Sequence, residues 1–207
     1  MNGIFFYIGL GVGLAAACGL RPFLPLLLAG ALGSSNALGV SFDHGGFEFL
    51  QQDWWLLIVA VALAMSYALQ LGLGLAPTLD SRSESAAAPL ASALAGLSYG
   101  AGAVLFAGTL ADHGDAWWPG IIGGLLAAGL AQWASGPVIA GARKRLPDRA
   151  AREALTLYLD AASVLVAALV ALFHPLGYVV VVVLIWFLAR RRARAGEKYA
   201  GLRILRR

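Results

Sequence analysis

The chain is poor in what keeps a protein in water. Charged residues make up 13% of its 207 positions, against roughly 25% in an ordinary soluble domain, and this excludes a soluble globule. Cysteine occurs once, as Cys18, which excludes an intramolecular disulfide and a cysteine-built metal cluster. Catalytic signatures are missing too. There is no Gly-x-Ser-x-Gly elbow, no His-Glu-x-x-His helix and no Gly-rich phosphate loop ending in Lys-Ser/Thr. The expectation is therefore no catalytic residue, no cofactor and no metal, with enzymatic activity unsupported.

What is present is apolar sequence. Hydrophobic residues reach 60% and mean hydropathy is +0.77. They fall into runs at 3–19, 22–38, 54–77, 86–111, 117–142, 154–173 and 176–189. A span of bilayer takes about 20 apolar residues as helix, because the helix satisfies its own backbone hydrogen bonds in lipid. The runs are continuous rather than alternating, which argues against a transmembrane barrel. The expected fold is an all-α, polytopic membrane bundle of six or seven segments, with a membrane domain over 1–190 and a basic tail over 191–207. Gly19-Leu20-Arg21-Pro22 interrupts the first apolar stretch, leaving three readings: two spans, one kinked helix, or two half-helices meeting at Arg21. The run Leu14-Ala15-Ala16-Ala17-Cys18 faintly resembles a lipoprotein signal. It lacks a basic leader and continues into apolar sequence, so residues 1–17 are expected to stay in the membrane domain.

Charge gives the orientation. Arg143, Lys144, Arg145, Arg149 and Arg152 crowd one loop, and Arg190, Arg191, Arg192, Arg194, Lys198, Arg203, Arg206 and Arg207 crowd the tail. The alternate loops carry Asp43, Glu48, Asp53, Asp112 and Asp115 but no Lys or Arg. The positive-inside rule places the basic loops and the C-terminus in the cytoplasm. Trp54-Trp55 and Trp117-Trp118 open spans after the acidic loops, where indole rings favour the headgroup zone. Arg190, Arg191, Arg192 and Arg194 are expected to meet anionic lipid headgroups. No aromatic interleaving supports nucleic acid as a partner.

Two stretches match in order. Asp43-His44-Gly45 leads to Trp54-Trp55, Gln70 and Pro77, and Asp112-His113-Gly114 leads to Trp117-Trp118, Gln132 and Pro137. Prolines 22, 25 and 89 precede them. The pattern reads as repeated helical hairpins over 22–77 and 88–141, with 152–190 a diverged third copy, related as parallel repeats. Gly9/Gly13, Gly96/Gly100 and Gly120/Gly124 each put two glycines on one helix face. Such faces let helices approach closely, predicting a compact bundle and leaving room for a homodimer.

Ionisable groups inside spans are costly and mark function by default. Asp160 lies about two turns into its run, with Thr156 and Ser163 on the same face. It reads either as a functional group or as a structural partner of Arg149 or Arg152. Arg21 reads either as a cytoplasmic flank or, if the first segments are half-helices, as part of an anion site at a helix N-terminus. Gln70 and Gln132 hold matching places in the repeat and could serve as polar glue, with Ser66 and Tyr67 forming a polar seam near the first. Asp80 reads as a helix cap or a gate partner for Arg82 or Arg21. His44 and His113 beside the loop acids fit turn chemistry better than a metal site.

The segments Ala17-Cys18-Gly19-Leu20-Arg21-Pro22-Phe23-Leu24-Pro25, Pro77-Thr78-Leu79-Asp80-Ser81 and Lys198-Tyr199-Ala200-Gly201-Leu202-Arg203 carry a resemblance. They are similar to a bacterial group of small integral membrane proteins catalogued only as a domain of unknown function. The resemblance implies a membrane bundle in the bacterial plasma membrane and no substrate. Many relatives carry an acid in the span before the proline, where this chain has Gln70. The composite expectation is a small transporter or channel for an ion or small solute, whose pathway uses Arg21, Gln70, Asp80, Gln132 and Asp160. The competing expectation is a non-transporting scaffold or lipid-interacting protein.

Overall fold

The computed structural model describes residues 3–72, 81–146 and 148–204, with the side chains of 70–72, 81–91, 144, 149 and 193–204 outside the description. Its elements are α1 (Ile4–Leu20), α2 (Phe23–Ser34), a 3-10 turn (Glu48–Gln51), α3 (Asp53–Gly72), α4 (Ser81–Asp112), α5 (Trp118–Arg145), α6 (Arg149–Leu172) and α7 (Leu176–Ile204). The described residues form no strand. Ser92–Asp112, Trp118–Arg143 and Ala150–Leu172 are long and apolar enough to cross a membrane, and Ile4–Leu20, Phe23–Ser34 and Asp53–Leu69 are shorter apolar helices. Leu57 and Met65 of α3, Leu126 of α5, Leu165 of α6 and Val182 and Trp186 of α7 face outward. So much large apolar surface is foreign to a soluble monomer and suits contact with lipid.

α1 is apolar on every side, and a helix of that kind belongs inside a bundle. Residues from Leu14 to Cys18 are 0–1% exposed, with α4, α5, α6 and α7 packed around them. Glycines set the distances. A Cβ on Gly177 of α7 would lie 1.8 Å from the Gly9 carbonyl oxygen, and one on Gly124 of α5 would lie 2.4 Å from that of Gly102. Gly9/Gly13 and Gly120/Gly124 are thus spent on contacts inside the chain, whereas Gly96 and Gly100 meet nothing within 4 Å.

The break between α1 and α2 follows from Pro22. A proline ring disfavours the helical region for the residue before it, and Arg21 is extended, at φ −151° and ψ 125°. Its N–H still closes the last turn on the Ala17 carbonyl, at 3.2 Å. Pro22 and Pro25 then sit in the first turn of α2, where their missing N–H groups cost little. The region forms two separate helices folded back on each other, which rules out one long kinked helix.

This hairpin is short. Its arms of 17 and 12 residues reach about 25 Å and 18 Å, while α4 and α5, at 32 and 28 residues, run about 48 Å and 42 Å. Gly19 packs on the backbone of Ala128, so α5 continues about 25 Å past the tip before ending at Arg145. The hairpin tip therefore lies inside the bundle.

Two prolines of the repeat pattern are placed differently from the expectation, and Pro77 lies outside the described residues. Pro89 lies within α4, which starts at Ser81, and Pro137 lies within α5. Neither opens or closes a helix. The two Asp-His-Gly turns do share a backbone feature, since Gly45 and Gly114 both take φ +80°, a conformation that favours glycine. The basic tail extends α7 as helix to Ile204.

Candidate functional site at the hairpin tip

Arg21 leaves the tip and meets Asp160 of α6, Nε to Oδ1 at 3.0 Å, with side chains 16% and 8% exposed. Asp160 stands near the middle of the apolar segment Ala150–Leu172. The Tyr67 hydroxyl of α3 donates to its other oxygen. Asp160 thus joins three elements distant in sequence. It pairs with Arg21, and the Arg149 side chain lies outside the described residues. Arg21 is no solvated flank. Its Nη2 is buried and has no hydrogen-bond partner among the described residues.

Two spaces adjoin Arg21. A gap of about 10 Å³ between Arg21, Phe23, Ser66, Tyr67 and Asp160 has room for about one water. A larger cavity at Arg21, about 220 Å³, is lined by Ser98 of α4, by Gln132, Ser135 and Arg143 of α5 and by Leu159 of α6. Gln132 donates to the Ala95 carbonyl at 3.2 Å, joining α5 to α4. Arg143 holds the Thr156 hydroxyl at 3.5 Å.

Arg21, Asp160 and Gln132, expected from sequence, therefore converge on one region. Asp80 and the side chains of Gln70 and Arg194 lie outside the described residues. Arg143 was read only as a loop charge. The signal for it was present, because Gln132, Ser135, Gly136, Ile139 and Arg143 repeat at i, i+3, i+4, i+7 and i+11, one face of a helix. Tyr67 was part of an expected seam near Gln70. Its bond to Asp160 needed the fold.

The arginines of the tail divide. Pro137 has no N–H for the Trp133 carbonyl four residues earlier. The Arg191 guanidinium covers that place, donating to Ala134 O at 3.1 Å and Trp133 O at 3.5 Å. Arg190 lies over the Trp186 ring at 5.0 Å, and Arg192 is exposed.

A second polar cluster sits at the opposite end. Asp112 accepts from the Asp43 N–H at 2.7 Å and from the Ser41 hydroxyl. His44 Nδ1 lies 3.5 Å away. His113 stacks on Tyr7 and shares its Nδ1 with the Thr109 carbonyl. The cluster ties the loop after α2 to the end of α4. Among the described residues no three His, Cys, Asp or Glu are placed to hold a metal.

Neither a curated protein nor a solved structure matches this chain. The model of one family, described as a domain of unknown function (DUF4126), matches residues 8–194. That match spans most of the sequence, and the chain belongs to this family.

Proposed function

We propose that this protein is a small multi-pass membrane transporter or channel for an ion or small solute. The observation that carries the reading is the hairpin tip, where chain reversal and a buried Arg21–Asp160 pair sit inside the bundle beside open space. Non-helical backbone at membrane depth is tolerated where protein buries it or where it lines a water-filled cavity, and broken helices at mid-membrane are how many transporters build binding sites. A purely structural ion pair needs its remaining hydrogen-bonding groups satisfied. The Arg21 Nη2, without a partner among the described residues, supports a pair that is more than a closed structural staple. By the positive-inside rule the Arg143 end faces the cytoplasm of a bacterial cell, the N-terminus faces outward, and Arg190, Arg192 and Arg194 meet anionic headgroups.

The test is current recorded from proteoliposomes on a solid support, offered gradients of protons, sodium, chloride, phosphate and small carboxylates. Wild-type current lost in Asp160→Asn and Arg21→Gln supports the reading. Silence of the wild type under every gradient favours a second reading, a scaffold that pairs through the open Gly96/Gly100 face. Crosslinking across that face would detect the pair.

A further inference from the structure

We infer that the cavity beside Arg21 binds an oxyanion, a phosphate- or carboxylate-type group, held between Arg21 and Arg143. This deepens the transport reading and rests on it for its biological meaning. Charge comes first. Asp160 neutralises Arg21, but among the described residues the cavity wall itself holds Arg21 and Arg143 and no carboxylate, so these residues leave the site a positive charge. An uncompensated charge in low dielectric is costly, and an anion would remove the cost.

Donors come second. Arg21 lines the cavity and brings its positive charge to the wall, while its Nη2, which has no exposed surface, has no partner among the described residues. Among the described residues the Arg143 guanidinium has one hydrogen bond, at the 3.5 Å limit, which leaves most of its five N–H groups for a ligand. Gln132 uses one amide hydrogen on Ala95 and keeps the other. The Ser98 and Ser135 hydroxyls already donate to Leu94 and Ala131, so the arginines and Gln132 provide the grip. Guanidinium suits the task, since its planar fork matches oxyanions.

Size comes third. About 220 Å³ is below the roughly 300 Å³ at which pockets for drug-sized ligands begin. A small anion or one headgroup fits this volume. Leu20 lines this cavity and also an apolar cavity of about 270 Å³ bounded by Val166, Val170, Val180 and Leu184, between α1, α6 and α7. An oxyanion carried by a lipid would find a place for its chain there. Free and lipid-borne anions share the chemistry, and the experiment separates them.

The full-length protein is placed in phosphatidylcholine nanodiscs and melted with inorganic phosphate or with chloride at equal ionic strength. A second set of discs is doped with phosphatidic acid. The inference expects a higher Tm in at least one anion arm, and that arm names the source. Arg143→Gln should weaken the apparent affinity about 10–100-fold, while Glu48→Gln, which alters only an exposed charge in the loop before α3, should keep the full shift. Should Arg143→Gln fold poorly, Ser135→Leu fills the cavity without changing charge and should abolish the shift. No shift in either arm, or a shift indifferent to both cavity variants, overturns the inference. Anion binding with no current under any gradient would leave this site standing and defeat transport, whereas cation current without an anion shift would do the reverse.

Discussion

Asp112 and Asp160 are the same residue, and their side chains are about equally buried, at 5% and 8% exposure. Asp112 is wrapped by the Asp43 N–H and the Ser41 hydroxyl, with His44 and His113 nearby. Every one of these partners is local to the end of the bundle that carries the acidic loops. Asp160 is held by one full cation and one phenol drawn from the hairpin tip and α3, next to a cavity and an unpartnered guanidinium nitrogen. Burial alone therefore does not distinguish a staple from a site. The surroundings do: a carboxylate answered by backbone and hydroxyl donors is finished, whereas one that leaves its partner half-answered beside open space is equipped to exchange.

The comparison can be broken at Asp160 first. Asp160→Ala leaves the Arg21 charge buried and unpaired, and unfolding measured in detergent should show a loss of about 3–5 kcal/mol. The double variant Arg21→Met/Asp160→Leu should recover most of that loss while giving no current. Asp112→Ala should cost less, about 1–3 kcal/mol, because water at the bundle end can take up the freed donors. Its currents should match wild type. If the two carboxylates exchanged these behaviours, the assignment of staple and site would be reversed.

The arginines sharpen the same contrast. Arg191→Ala should cost about 1 kcal/mol by exposing the carbonyls freed at Pro137, and Arg192→Ala should stay within about 0.5 kcal/mol. Paired thermal melts would read both. The smallest effect concerns pH at the acidic end. Burial holds the His174 imidazole below its ordinary 6.5, with the charge of His113 acting the same way and the Leu38 carbonyl opposing. The folded protein then binds this proton less readily than the unfolded chain. Its contribution is complete above the unfolded value and declines as pH falls through about 6.5 toward the folded value. Melting curves of wild type should show that decline, and His174→Phe should flatten it.

Much of the fold was legible because its causes are short-ranged. Among the described residues the seven apolar runs became seven helices, since a helix in lipid needs only enough apolar residues in succession. Pro22 announced the break at Arg21 because a proline constrains its neighbour whatever surrounds it. Proline was less reliable elsewhere. Pro89 and Pro137 suggested helix ends but lie within helices, and at Pro137 a guanidinium from α7 covers the freed carbonyls. That compensation comes from a residue more than fifty positions away and has no local signature.

The sequence by itself determined an all-helical bundle, the segregation of basic and acidic loops, and the position of the hairpin turn. Each of these depends on one residue or on a period along one helix. Only the tertiary structure decided that Arg21 pairs with Asp160, that Tyr67 joins them, that Arg143 shares the cavity, and that Gly96/Gly100 stays open while the other glycine pairs are buried. Those outcomes depend on which helices are neighbours and how far each extends. The period of a helix says which side chains share a face, but not what that face meets.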